Sequence, residues 1–162
     1  MDSNRPDIPD DLRQLMAEVG PKWSPSLHVK LMLEKFSAVH RTGSNDGVQV
    51  KADIAYGPHN RQQLDVYLPD NRNERRAALL FVHGGAFLDG HRNRTSEIYA
   101  NVLRFLARHG IVGINIGYRL AGDAGYPGAT EDIASAVAWT RQHATEFGID
   151  RDRLFLMGHS AG

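Results

Sequence analysis

The sequence predicts an α/β fold in which a mostly parallel sheet carries helices on both faces. From Ala77 onward, continuous apolar runs alternate with segments of helical periodicity, in the order strand, helix, strand, helix, strand. Parallel strands need long crossover connections, and a helix between successive strands supplies them. Two earlier strand-like segments are separated only by a short turn, so they are expected to pair antiparallel at one edge.

Residues 1–45 precede this pattern and predict two helices. Asp10 is expected to cap the first helix, and Ser24 the second, which has Pro25 at its first position. The sheet-forming part of the chain then occupies residues 46–162. We therefore predict two regions, a helical segment and an α/β domain.

The strands and helices of the second region follow from local sequence patterns. The strand segments are Val48 to Tyr56, Gln63 to Leu68, Ala77 to Val82, Ile111 to Ile116 and Leu154 to Met157. One helix is expected to begin at Thr95, with Ile98, Val102, Phe105 and Leu106 facing inward. Another is expected to be capped by Thr130, with Ile133, Val137, Thr140, Ala144 and Phe147 facing inward.

Composition excludes several classes of function. Lys plus Arg and Asp plus Glu number 19 each, so no net field recruits nucleic acid or an anionic membrane. The absence of cysteine excludes disulfides, thiolate metal sites and a cysteine nucleophile. No segment is apolar enough to span a bilayer, and the N-terminus lacks the apolar core of a secretory signal. We expect a soluble, cytoplasmic protein that binds neither nucleic acid nor membranes.

A nucleophile motif follows the last predicted strand. Gly158-His159-Ser160-Ala161-Gly162 fits the pattern Gly-x-Ser-x-Gly. The glycines allow a tight turn from strand to helix, which lifts the serine hydroxyl above the carboxyl edge of the sheet. Because a predicted buried strand directly precedes the motif, the sequence predicts Ser160 as a catalytic nucleophile.

A second motif, His83-Gly84-Gly85-Ala86-Phe87, follows another predicted strand. Enzymes that transfer acyl groups stabilise an oxyanion with backbone N–H groups, each worth roughly 3 kcal/mol. Gly85 and Ala86 are the predicted donors of this loop, Gly84 is a further candidate, and Ala161 is expected to donate from the nucleophile turn. Both motifs lie at the carboxyl ends of parallel strands, where ligands bind in such sheets. The sequence therefore predicts an acyl-transfer site.

Several segments, in order and spacing, resemble those of the α/β-hydrolase esterases related to hormone-sensitive lipase, bacterial carboxylesterases and feruloyl-esterase-like proteins. They include Leu64-Asp65-Val66-Tyr67-Leu68-Pro69, His83-Gly84-Gly85 and Tyr118-Arg119-Leu120. The resemblance runs from about Ile54 to the last residue. It implies an α/β-hydrolase fold and a serine esterase that cleaves small-molecule esters through an acyl-enzyme, without metal or organic cofactor. It also implies that residues 1–45 form part of a cap over the acyl site.

The chain departs from that group in two residues and in extent. Ala86 stands where the hormone-sensitive-lipase group usually has a third glycine, and His159 where it commonly has Asp. In this family the triad acid and histidine follow the serine in chain order. We therefore expect both beyond Gly162, so that the chain is truncated after its nucleophile strand and is nearly inactive alone. The open edge of its sheet is expected to favour homo-oligomers.

Residues within the chain offer weaker candidates for the missing roles. The His159 side chain must leave the turn away from Ser160, and His83 is expected to brace the oxyanion loop. Asp132 and Asp65 are interpreted as structural acids, and Arg119 as a loop anchor. No pair of histidines has the spacing of metal ligands. Two alternatives stay open: an amide hydrolase resembling kynurenine formamidase, and a non-catalytic binding protein on the same fold.

Overall fold

A computed structural model describes residues 8–41, 47–70 and 74–162 of the chain. The chain divides into two compact units, Met1–Ser44 and Asn45–Gly162. The predicted boundary between residues 45 and 46 lies outside the described residues. The interpretation of the first unit as a cap stays a prediction.

The first unit contains helices α1 (Asp10–Val19) and α2 (Pro25–Arg41), joined by a 3₁₀ turn at Gly20–Lys22. The prediction that Asp10 caps α1 is wrong, because Pro9 precedes the helix and no side chain caps it. Asp10 is instead the first helical residue, where a negative charge is favoured by the helix dipole. Pro25 opens α2 as predicted.

The second unit is built on a sheet of five strands: β1 (Val48–Ala55), β2 (Gln63–Pro69), β3 (Arg76–Val82), β4 (Val112–Ile116) and β5 (Ile149–Gly158). Their order across the sheet is β1-β2-β4-β3-β5. Strands β4, β3 and β5 are parallel, and β1 pairs antiparallel with β2 at the edge, which confirms both predictions. Strand β2 is also antiparallel to β4, so the sheet is mixed.

Helices α3 (Ala100–Arg108) and α4 (Gly128–Gln142) cover opposite faces of this sheet. Successive residues of a strand point to opposite faces. Val66 belongs to the apolar cluster that includes Ala136 of α4, whereas Tyr67 belongs to the cluster that includes Leu103 of α3. Burial of these side chains provides most of the driving force for the fold.

Helix α3 begins later than predicted. The Thr95 hydroxyl oxygen accepts hydrogen bonds from the backbone N–H groups of Glu97 (3.2 Å) and Ile98 (2.9 Å), which forms a turn instead of the first turn of a helix. Tyr99 then has φ +74°, outside the helical region, so that α3 can begin only at Ala100.

The predicted inward face of α3 is also wrong in part. Phe105 is half exposed, whereas Leu103, Ala100 and Ala107 are buried. The absence of a side chain at Gly113 of β4 lets the helix approach closely, since a Cβ there would lie 2.8 Å from the Leu103 Cβ. Because α3 packs closely on the sheet, its buried face consists of two alanines and one leucine.

Helix α4 begins at Gly128, directly after Pro127. Thr130 lies inside its first turn, so the prediction that Thr130 caps the helix is wrong. Of the predicted inward face, Thr140 is buried within the helix, while Ala144 and Phe147 are buried beyond its end at Gln142. Ile133 and Val137 are partly buried against the same cluster.

Strand β5 is longer than predicted and pairs with β3 through the register Ala78↔Leu154 to Val82↔Gly158. The strand thus has one neighbour, but its other edge is unpaired within the described part of the chain. Its apolar residues Phe155, Leu156 and Met157 are each about half exposed. Association of copies through this edge stays a prediction.

A buried ion pair joins β2 to the segment that follows β3. Arg92 donates from Nε to the Asp65 carboxylate at 3.1 Å, and both side chains are almost fully buried. Asp65 also accepts from the Asn93 amide (2.7 Å) and from the backbone N–H of Asp53 (2.9 Å). These partners satisfy the carboxylate, which confirms its interpretation as a structural acid.

Candidate active site

Ser160 lies on a tight turn directly after β5. Its φ of +57° is in the left-handed region, which is uncommon for non-glycine residues and strains the backbone. A Cβ added to Gly158 would overlap the carbonyl oxygen of Gly162, and one added to Gly162 would overlap that of Val82. The glycines on either side of the serine are therefore required by the close approach of backbone to backbone.

The segment that follows β3 is in direct contact with this turn. A Cβ added to Gly84 would lie 2.7 Å from the His159 carbonyl oxygen and 2.9 Å from the Ser160 Cβ. The backbone N–H of His159 donates to the Val82 carbonyl at 3.1 Å. Two sequence motifs that are far apart in the chain are thus adjacent in the structure. Ala161, the next residue after the serine, lies on the same turn.

The rest of the predicted oxyanion loop forms a compact turn. Gly85, Ala86 and Phe87 have φ values of +141°, +53° and +61°. The Gly85 carbonyl accepts from the N–H groups of Leu88 (3.0 Å) and Asp89 (2.9 Å). Within the described part of the chain, the N–H groups of Gly85, Ala86 and Ala161 donate no hydrogen bond. They are therefore available as donors to an oxyanion.

His83, at the start of this loop, is fully buried. Its Nδ1 lies 2.8 Å from the Gly84 carbonyl oxygen, which can only accept, so Nδ1 carries the proton. Burial lowers the pKa of His83 from 6.5 to about 4. The ring is therefore neutral near pH 7 and braces the loop.

Lowering the pH from 7 to about 4.5 is expected to destabilise the fold through His83. The unfolded chain binds a proton near pH 6.5, whereas the folded chain binds it only near pH 4. The neutral ring stabilises the fold fully above pH 6.5, and this stabilisation is lost as the pH falls from 6.5 towards 4. At pH 4.5 the loss relative to pH 7 amounts to about 2–3 kcal/mol. Urea unfolding of the wild type and of His83→Gln at both pH values measures it. An equal loss of stability in both proteins would contradict the prediction.

No histidine among the described residues is hydrogen-bonded to the Ser160 hydroxyl. The His159 ring is directed to Tyr99 instead, with Nδ1 3.1 Å from the tyrosine hydroxyl. The sequence did not point to Tyr99, whose φ of +74° has no signature in residue type. Within the described residues, the histidine next to Ser160 in sequence is therefore engaged with Tyr99 and not with the serine hydroxyl.

Arg119 and Arg61 fix the loop that follows β4. The Arg119 guanidinium donates to the buried Asp132 carboxylate at 2.6 Å, and its backbone N–H donates at 2.8 Å, which confirms both residues as structural. Arg61 donates to the carbonyls of Tyr118 (2.8 Å) and Gly90 (2.7 Å), and so joins the loops after β3 and β4. Sequence reasoning missed Arg61, because no motif marks it.

The described residues offer few other candidate sites. Among residues 8–41, 47–70 and 74–162, no three histidine, aspartate or glutamate side chains gather to hold a metal ion. None of the helices described is both long enough and apolar enough to cross a bilayer. A groove of about 420 Å³ is lined by residues that include Asp65, Tyr67 and Arg104, but by none of the serine turn or the oxyanion loop.

Comparison with known proteins places this geometry in a family. Residues 64–162 match the family model described as BD-FAE. Over 110 residues the chain is 37% identical to Esterase LipC of Mycobacterium tuberculosis. The aligned region covers 67% of this chain and 27% of that protein. Over 113 residues it is 33% identical to the probable isoprenylcysteine alpha-carbonyl methylesterase ICMEL1 of Arabidopsis thaliana, covering 70% and 23% respectively. The chain thus spans about a quarter of the length of these relatives.

Solved structures agree with the family. Esterase B from Lactobacillus rhamnosis, bound to an inhibitor, matches with a TM-score of 0.67 and 26% identity over 83% of this chain and 45% of that chain. A bacterial heroin esterase matches with a TM-score of 0.63 and 28% identity, covering 88% and 50% respectively. These neighbours are esterases of the α/β-hydrolase fold. The chain therefore belongs to the BD-FAE family and has the fold of the α/β-hydrolase carboxylesterases.

Proposed function

We propose that residues 1–162 carry the nucleophile and the oxyanion site of a serine esterase. The observation that carries this proposal is the contact of Gly84 with the strained turn at Ser160. The Ser160 oxygen attacks the carbonyl carbon of a small-molecule ester, while the N–H groups of Gly85, Ala86 and Ala161 hold the oxyanion. Gly84 is a further candidate donor. A base takes the proton of the Ser160 hydroxyl and passes it to the oxygen of the leaving alcohol. The same base then takes a proton from water, which attacks the acyl-enzyme, releases the carboxylic acid and restores the Ser160 hydroxyl.

The base and its orienting acid belong to the longer protein that we propose, in which further chain follows Gly162. Two observations support this part of the proposal. The chain spans only about half of the solved esterases that it matches. In α/β hydrolases the acid and the histidine follow the serine in chain order. The 162-residue chain alone is therefore expected to turn over esters very slowly, because Ser160 has no base.

Esters are the favoured substrates over formamides, because the relatives are named as esterases. We expect the longer protein to hydrolyse p-nitrophenyl butyrate faster than a formylated aromatic amine. Faster cleavage of the amide would leave the serine chemistry in place but would overturn the choice of ester.

A fluorophosphonate probe tests the nucleophile directly. The probe should label the longer protein and should not label its Ser160→Ala variant. In a separate assay, that variant should hydrolyse p-nitrophenyl butyrate at least about a thousandfold more slowly than the wild type. Ser135→Ala is the matched control, since that exposed serine bonds only the Glu131 carbonyl within α4. Labelling that persists in Ser160→Ala would overturn the proposal, and an unlabelled, inactive wild type would favour a binding protein.

A further inference from the structure

Two hydrogen bonds fix the carbonyl groups at the start of the oxyanion loop. The Tyr118 hydroxyl donates to the carbonyl oxygen of His83 at 2.7 Å. The His83 ring in turn donates from Nδ1 to the carbonyl oxygen of Gly84 at 2.8 Å. The same His83 carbonyl borders the serine turn, since a Cβ added to Gly162 would lie 3.0 Å from it. Consecutive peptide groups of the loop are thus each held by one side chain.

The two rings that make these bonds are held by their packing. The rings of His83 and Tyr118 are stacked, with centroids 4.4 Å apart and planes at 18°. Both residues are almost completely excluded from solvent. Burial raises the pKa of Tyr118 above its usual value, so the hydroxyl keeps its proton and remains a donor near neutral pH. Neither ring can turn away without breaking the packing around the other.

The held carbonyls determine where the N–H groups of the loop point. In a planar trans peptide, a carbonyl and the N–H of the following residue point in opposite directions. Fixing the carbonyls of His83 and Gly84 therefore fixes the N–H groups of Gly84 and Gly85. Glycines have wide backbone freedom, and neither has a side chain with which to hold its own position.

We propose that Tyr118 and His83 are positioning residues that aim the backbone donors of the oxyanion loop. The inference rests on the proposed function, because it concerns the site at which the oxyanion forms. Neither residue contacts the reacting atoms in this role: Tyr118 acts through the peptide of His83, and His83 acts through the peptide of Gly84. Tyr118 thus positions the oxyanion loop, while its neighbour Arg119 anchors the loop after β4.

The substitution Tyr118→Phe, made in the longer protein, removes one hydrogen bond and keeps the stacked ring. We expect its kcat for p-nitrophenyl butyrate to fall about tenfold with KM unchanged, because the oxyanion bonds form only in the transition state. The rate of labelling by a fluorophosphonate should fall by a similar factor. A purely structural role would lower the amount of folded protein but would leave the kcat of the folded fraction intact.

Tyr56→Phe is the matched control. The Tyr56 hydroxyl donates to the carbonyl of Gly117 at 2.6 Å, so its removal also breaks a bond from a tyrosine to the loop after β4. Among the described residues, Tyr56 makes no hydrogen bond or ring contact with His83. We expect kcat within twofold of the wild type. Equal kcat values in Tyr118→Phe and Tyr56→Phe would overturn the inference.

A second variant makes the test independent of the folding of Tyr118→Phe. His83→Phe keeps a ring beside Tyr118 but lacks the Nδ1 donor, and it should also lower kcat about tenfold. If the two residues act in one chain of bonds, the double variant should lose less than the product of the two losses. Unchanged kcat in His83→Phe would overturn the inference, whereas a wild type that the fluorophosphonate does not label would overturn the proposed function itself.

Discussion

Gly84→Ala is expected to lower the kcat of the longer protein by about a hundredfold to a thousandfold, the loss that follows removal of an oxyanion donor. The added Cβ would lie 2.7 Å from the His159 carbonyl oxygen and 2.9 Å from the Ser160 Cβ. Both neighbours are rigid, because one is backbone and the other is the first side-chain atom of the nucleophile. The loop and the serine turn must therefore move apart. Steady-state kinetics with p-nitrophenyl butyrate measure the effect.

Gly122→Ala provides the control for Gly84→Ala. A Cβ added to Gly122, in the loop after β4, meets no atom within 4 Å. Its kcat should match that of the wild type. If Gly84→Ala retained more than a third of the wild-type kcat, the contact between the two motifs would not control catalysis.

Asp132→Ala is expected to lower the free energy of unfolding by about 3 kcal/mol, as when one partner of a buried ion pair is removed. The Asp132 carboxylate accepts hydrogen bonds from Arg119 and from the Gln62 amide (2.7 Å), and it is almost fully buried. Its loss leaves both donors without their acceptor. Urea unfolding of the wild type and the variant at pH 7 measures the change.

The pH dependence of Asp132 gives that experiment a second readout. Burial alone would raise the pKa of Asp132, but the hydrogen bonds from Arg119 and Gln62 outweigh it and hold the pKa below 3.8. The folded carboxyl thus holds its proton less tightly than the unfolded one. Its contribution is present above the unfolded pKa and is lost as the pH falls through the lower folded value. The difference between wild type and Asp132→Ala should therefore shrink in strong acid.

Glu131→Ala is the matched control for Asp132→Ala. Glu131 also lies on α4 and has a carboxylate oxygen 4.0 Å from Arg119, but its side chain is 65% exposed. An exposed pair of this kind contributes roughly 0–1 kcal/mol. Similar losses in the two variants would show that Asp132 acts as a surface charge, against its assignment as a buried anchor.

Much of the fold was predictable because its signals are local. The apolar runs of β3 and β4 mark strands that are buried on both faces, and turn residues bound each run. The turn at Ser160 was predictable for a related reason, since glycines at fixed spacing reflect backbone contacts within a few residues. The contact between this turn and Gly84 follows from a general rule, that the carboxyl ends of parallel strands meet at one edge of the sheet.

The errors arose where tertiary contacts decide the structure. The phase of α3 depends on Leu103 meeting Gly113, a contact between segments that periodicity within one helix cannot reveal. Its late start depends on the backbone of Tyr99, which has φ +74°, and the ring of that residue packs against the rings of Phe81 and His159. Arg61 bonds two loops through backbone carbonyls, and such bonds require no particular residue type in the partner.

Within the described residues β5 pairs only with β3, and this pairing has a consequence for the order of folding. Helix α3, strand β4 and helix α4 all lie between these two strands along the chain, so their pairing closes a long loop. Contacts of high sequence separation form late, because loop-closure entropy opposes them until the intervening elements are in place. The left-handed backbone at Ser160 depends on this last pairing for its support. During folding, the donors at Gly85 and Ala86 are thus expected to form before the serine that they serve has reached its place.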